Sequence, residues 1–329
     1  MSMKGLLASL LIAATFPFTA LAAPIVIGYQ TGVDPSKVAQ ADGVFEKTIG
    51  QPLDWRRFNS GPEVVAALAS GSIQIGNLGS SPFAAATSRN LPIIAFLVST
   101  QIHGAEALVV RNASHINSYQ DLKGKTLATP FVSTSHYSLL AALKHWGYKP
   151  GDVKIVNLNP PEIAAAWKRG DIDGAFVWSP ALSQIEKDGK VLTDAKQVGE
   201  WGNPTFEVWV TRKDFAEQHP EVLAKYAHVV LESFDHYAQH PEQYRATSEN
   251  AQKIAKLVGV SAQDIPGLLS GSVYPTYTQQ LSSSFLEGGS AIATKATAEF
   301  LVEQHRIPAV LPDYRPFISD KFVKLSRQP

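Results

Sequence analysis

The sequence predicts an α/β protein built as two lobes. Three observations carry that expectation. Short β-branched strands alternate with helical stretches over residues 24–99, and the same rhythm restarts near residue 107. The chain has 329 residues, 45% of them hydrophobic, which is enough for two cores. From Phe215 onward the pattern is mostly helical, with no Gly/Ser-rich linker and no internal repeat. The chain would then cross between lobes twice, near 108–111 and near 208–212. Two crossings make a hinge, and a cleft between lobes is a common place for a small ligand.

Each element follows from local pattern. Residues 24–30 (PIVIGYQ) form a β-branched run ending at Thr31-Gly32 and read as a strand. Pro35 or Ser36 opens a helix through about Lys47, closed by Gly50. Residues 53–58 alternate apolar and polar like a strand. Residues 61–69 are helical, with Val64, Val65 and Leu68 on one face. Strand 72–78, helix 83–88 and strand 92–99 complete the first series, and this spacing argues for parallel βαβ units. The second series comprises strand 107–110, strand 125–130, helix 136–146, strand 153–158, helix 162–168 and strand 174–177.

Residues 1–22 read as a secretory signal peptide. Lys4 supplies the positive n-region, a short apolar run follows, and Ala20-Leu21-Ala22 is a small-x-small cleavage site. The run is too short to span a bilayer, and Pro17 interrupts it. Such a leader implies export, to the periplasm if the source is Gram-negative.

Composition excludes several chemistries. Lys+Arg and Asp+Glu both number 29, so no net field attracts nucleic acid or an anionic membrane. The absence of Cys excludes disulfides, thiolate metal sites, Fe–S clusters and a Cys nucleophile. Gly124-Lys125-Thr126 resembles the end of a P-loop, but Tyr119 stands where the first Gly is required. No G-x-G-x-x-G, H-E-x-x-H or nucleophile-elbow pattern occurs. His103 and Glu106 are three apart and read as a loop pair. No cofactor and no metal is expected.

Four segments are candidates for binding. Asn77-Leu78-Gly79-Ser80-Ser81-Pro82 joins a strand to a helix. N–H groups at a helix start favour an anion, and Ser80 and Ser81 add hydroxyls. Ser133-Thr134-Ser135-His136 repeats that context in the second lobe, so two helix starts would grip one tetrahedral anion. Plain capping is the competing reading of both. Glu207 lies inside the apolar strand 206–210 (FEVWV), where a carboxylate needs a partner. Alternation puts Glu207 and Trp209 on one face, and a carboxylate beside an aromatic suits an ammonium, although an ion pair with a Lys or Arg of the other lobe fits equally. Trp178, Tyr29 and Gln30 end strands and are candidates for a cleft wall.

Six segments carry a resemblance: VAQADGVFEK, ALASGSIQIGNLGSSP, STSHYSLLAALKHWGYKPGDV, RGDIDGAFVWSPAL, EKDGKVLTDAKQVGEWGNPT and VWVTRKDFAEQHPEV. They resemble the sulfonate/nitrate solute-binding protein family, in particular its taurine-binding periplasmic members, over nearly the whole chain. The resemblance implies a type II periplasmic-binding-protein fold, with two α/β lobes joined by a two-stranded hinge. Residues 23–108 plus 209–329 would form lobe 1, and 109–208 lobe 2. It implies a non-enzymatic monomer that captures taurine and delivers it to an ABC permease and its ATPase subunit. The sulfonate would meet Gly79, Ser80, Ser81, Ser133, Thr134, Ser135 and His136. The ammonium would face Glu207, with Trp178, Tyr29 and Gln30 around it. Where the family pattern has Asp, this chain has Glu207. Alkanesulfonates without an amine are the same-class alternative. Enzymes that share the fold rely on cysteines, which this chain lacks.

Overall fold

A computed structural model describes residues 23–327; the proposed leader, 1–22, lies outside the described residues. The chain forms two sheets. The first contains β1 (Ile25–Tyr29), β2 (Leu53–Arg57), β3 (Ile75–Gly79) and β4 (Ile93–Ile102). The second contains β5 (Glu106–Arg111), β6 (Thr126–Thr129), β7 (Lys154–Asn157), β8 (Gly174–Trp178) and β9 (Gly189–Asp194). The chain then returns to the first sheet with β10 (Thr205–Arg212) and the short β11 (Ser272–Val273). Strand orders are β11-β4-β10-β3-β1-β2 and β7-β6-β8-β5-β9.

The sheets are mixed, which corrects the expectation of parallel units alone. β1 runs parallel to β2 and β3, but β10 lies antiparallel between β3 and β4. β5 is likewise antiparallel to β8 and β9. The reason is the double crossing: each strand that follows a crossing enters its sheet against the local direction. The crossings lie side by side, since Thr205 of β10 is in register with Ile102 of β4.

A second correction concerns the helix expected over 36–47. Gly43 adopts a left-handed φ of 64° and splits it into Ser36–Ala41 and Val44–Ile49. The helix over Gly61–Ala69 and the one over Thr134–His145 form where periodicity places them. β9 has no counterpart in the sequence reading; its polar GKVLTD run alternates weakly.

Each sheet has its own core. Ile27, Ile75, Leu78, Phe96 and Trp209 pack around the first sheet against Tyr226 of the helix Pro220–Gln239. Leu108, Leu127 and Phe176 pack on one side of the second sheet, and Val109, Ala175 and Val177 on the other. Phe300 of the helix Gly289–Glu303 joins the two, its ring 4.7 Å from that of Tyr137. Among the described residues no helix is long and apolar enough to cross a membrane.

Candidate functional site

The ends of β1, β3 and β10 from the first sheet meet those of β5 and β8 from the second. Two small adjoining cavities form there, sharing Gly32, Glu106, Trp178 and Glu207. Three hydrogen bonds tie the sheet units together around them. Ser81 Oγ donates to the Val132 carbonyl at 3.0 Å, Thr31 Oγ1 to that of Ser179 at 2.9 Å, and Asn159 Nδ2 to Glu63 Oε1 at 3.3 Å.

Six of the residues expected from sequence line the cavities: Gln30, Gly79, Ser133, Thr134, Trp178 and Glu207. Two helix starts do converge, one after Gly79 and one after Ser133. Their first N–H groups have no acceptor within the helix and favour negative charge. Gly79 is required by that approach. A Cβ built there would stand 2.6 Å from Thr134 Cγ2 of the other unit.

The hydroxyls serve other partners. Thr134 Oγ1 and Ser135 Oγ donate to the two oxygens of Glu106, at 2.6 and 2.8 Å. Ser133 Oγ accepts from His136 N–H as an N-cap and donates to the Pro130 carbonyl. Ser80 Oγ accepts from Phe206 N–H at 3.4 Å. Ser80, Ser81 and Ser135 are fully buried and do not line the cavities.

His136 also differs from its expected place. Its Nδ1 accepts the Val132 N–H at 3.1 Å, and its ring stacks on Phe131. Burial, with Arg306 nearby, pulls its pKa down to about 3. The ring is therefore neutral, with its proton on Nε2. It fixes the loop behind the helix start. Val132, between them, holds a left-handed φ of 64°, an uncommon state for a β-branched residue.

Tyr29 lies beneath Lys37, whose Nζ is 4.6 Å from the ring centroid. Trp209 is buried in the first core, 5.0 Å from Tyr226. The aromatic that shares a cavity with Glu207 is instead Trp178, from the second sheet.

Glu106 lines both cavities and is absent from the residues expected from sequence. It begins β5, is 4% exposed, and faces the same cavities as Glu207. Burial pushes its carboxyl up to about 7, against the two hydroxyl hydrogen bonds. Burial also pushes Glu207 up to about 7, with Glu106 and Asp34 adding repulsion and Lys37 and Asn77 opposing. Lys37 is itself buried, 3.9 Å from Asp34. The signal for Glu106 was the one that marked Glu207: an acid adjoining an apolar strand, here EALVV.

A larger pocket of about 450 Å³ lies on the other face of the crossing strands. Phe206 lines it, next in sequence to Glu207, and consecutive strand residues point to opposite faces. Gly199 and Glu200 close it from the second unit, and Phe285 and Ala293 from the first. Its charged groups, Lys196 and Glu200, sit on one helix and do not converge on a buried point.

The cleft between the two sheet units, lined by Glu106, Glu207 and Trp178, has the position and chemistry of a small-molecule binding site. A profile described as the substrate-binding domain of ABC-type glycine betaine transport system matches residues 23–255. The taurine-binding periplasmic protein of Escherichia coli (strain K12) is 51% identical over 98% of this chain and 99% of its own. The chain belongs to this family of substrate-binding proteins of ABC-type importers. Among solved structures, the alkanesulfonate-binding protein of Xanthomonas axonopodis pv. citri bound to MOPS shares the fold at a TM-score of 0.75 and 22% identity, over 89% of this chain and 97% of that one. The periplasmic aliphatic sulphonate binding protein of Escherichia coli matches at a TM-score of 0.72 and 25% identity, over 90% and 92%. The type II periplasmic-binding fold expected from sequence is thereby borne out.

Proposed function

We propose that this protein captures taurine between its two sheet units, acting as lobes, and delivers it to an ABC permease powered by an ATPase subunit. The carrying observation is the polarity of the cavity. Glu106, Glu207 and Trp178 stand together, and two helix starts converge beside them. Taurine is a zwitterion with an ammonium and a sulfonate. The carboxylates take the ammonium by charged hydrogen bonds, and Trp178 adds a cation–π surface. The sulfonate, a weakly basic tetrahedral anion, takes the N–H groups that follow Gly79 and Ser133, with Gln30 alongside. Ser80, Ser81, Ser135 and His136 build this end from behind, and Tyr29 supports Lys37.

The protein works as a monomer in the periplasm after cleavage of residues 1–22, and it performs no chemistry on its ligand. The likeness to the periplasmic E. coli protein supports that location. A chain without Cys supports the non-enzymatic reading. A thermal-shift screen against taurine, other amino-sulfonates, alkanesulfonates, nitrate and sulfate tests the proposal. Ligand bound to the native state raises the midpoint by mass action, and taurine is expected to give the largest shift at neutral pH. No shift with any sulfonate would remove the reading.

A further inference from the structure

Two buried carboxylates on the same pair of small cavities raise a question of charge balance. Glu106 enters from the second sheet and Glu207 from the first, and both line both cavities. Like charges brought together away from water cannot both stay ionised without a compensating cation. The cation at hand is Lys37, which is paired with Asp34 and sits over Tyr29. The other groups facing the pair are Thr134, Ser135, Asn77, Thr100 and Trp178, none of which ionises near neutrality, and Tyr274, whose pKa burial drives well above 10. Glu106 and Glu207 line the space, Asp34 repels Glu207 from beside it, and Lys37 is the one buried ammonium near them among the described residues.

We propose that Glu106 and Glu207 form a single exchange site, which holds a proton in the empty cleft and the ligand's ammonium in the filled one. Capture of an amino-sulfonate near neutral pH therefore releases a proton to bulk water. The corollary concerns ligand range. Once acid has neutralised the pair, a sulfonate with no amine meets no uncompensated carboxylate, and the sulfonate end of the cleft is unchanged. The protein is then selective for amino-sulfonates at neutral and higher pH and admits plain alkanesulfonates under acid conditions. The upward displacement of both carboxyls to about 7 agrees with this arrangement. The inference rests on the taurine-binding reading.

Calorimetry on the purified protein tests it. Taurine is titrated near neutral pH in phosphate and in Tris, whose ionisation enthalpies differ, so the difference in heat counts protons. Release of about half a proton per taurine is expected at pH 7, rising towards one at about pH 6. One proton competing with an apparent pKa of about 7 weakens taurine binding roughly 30-fold between about pH 8 and about pH 5.5. Ethanesulfonate is expected to bind better at the acid end. Taurine binding with no proton release and no pH dependence overturns the exchange site and leaves the taurine reading standing. Ethanesulfonate binding that does not improve in acid overturns the corollary. Failure of taurine to bind at any pH overturns the parent reading, and the exchange site with it.

Discussion

Thr134 Oγ1 donates to Glu106 Oε1 at 2.6 Å, so a hydroxyl expected to meet an anionic ligand holds an internal carboxylate, while the N–H groups of its helix start stay free of it. Thr134→Val keeps the shape and removes the donor. A hydrogen bond to a charged group contributes about 1.5–3 kcal/mol. Its loss leaves ionised Glu106 less supported and moves its pKa further up. Taurine binding at neutral pH should weaken roughly tenfold or more, with part of the loss recovered at higher pH. Titration calorimetry across pH checks both. A uniform loss at every pH would contradict the role assigned to the hydroxyl.

Gly79→Ala should separate closure from folding. The added Cβ meets Thr134 Cγ2 at 2.6 Å, and that methyl cannot swing aside while Oγ1 stays bonded to Glu106. The clash arises only when the two units approach. Taurine affinity should fall at least tenfold, since the binding-competent state becomes rarer. The unliganded melting temperature should hardly change. Small-angle scattering with saturating taurine should show less compaction than in the parent.

Glu207→Gln removes the first-sheet half of the proposed ammonium site and keeps its volume. Breaking one partner of a desolvated charge pair costs about 2–5 kcal/mol, so taurine binding should weaken by about two orders of magnitude. Ethanesulfonate, with no ammonium to lose, should be unaffected or bind better. An unchanged taurine affinity would refute the assignment.

The unliganded protein should lose stability as pH rises. Both carboxyls move from 4.5 when unfolded to about 7 when folded, so the native state binds more protons between those values. A raised acid contributes stability that is fully present below its unfolded pKa and is lost as pH rises through its folded pKa, so the slope of unfolding free energy with pH is negative in that window. Melting temperature should therefore decline from about pH 5 to about pH 8. It should decline less in the Glu106→Gln/Glu207→Gln double variant.

Ser81→Ala removes a hydrogen bond that crosses between the units to the carbonyl of Val132. A bond of this kind is worth about 1 kcal/mol, so taurine should dissociate several-fold faster. Association should be little changed, because Ser81 Oγ does not line the cavities. Stopped-flow fluorescence of the tryptophans resolves the two rates.

Much of this architecture was legible from sequence because periodicity reports burial directly. The strand PIVIGYQ and the helix over 61–69 each have one pattern and one solution. The antiparallel insertions of β5 and β10 were not legible, because strand direction depends on where the chain returns, not on local pattern. Glu207 stands out inside FEVWV, whereas Glu106, three residues after His103, has the sequence look of a loop acid although it is the first residue of an apolar strand. The serines and His136 were found as a group, but their individual partners depend on side-chain directions that spacing cannot supply. His136 faces the loop behind it because Val132, held at a left-handed φ, turns its N–H that way.

Phe206 and Glu207 are neighbours that look into different cavities, one on each face of the crossing strands. In the proposed closure those strands would be the fulcrum, and a rotation that narrows the front would widen the back, so the rear pocket would gauge how far the two units have closed. A bulky residue there, such as Trp at Ala293, would prop the back open and favour the shut state without touching the ligand. Affinity would then be adjustable from a pocket on the face away from Glu207.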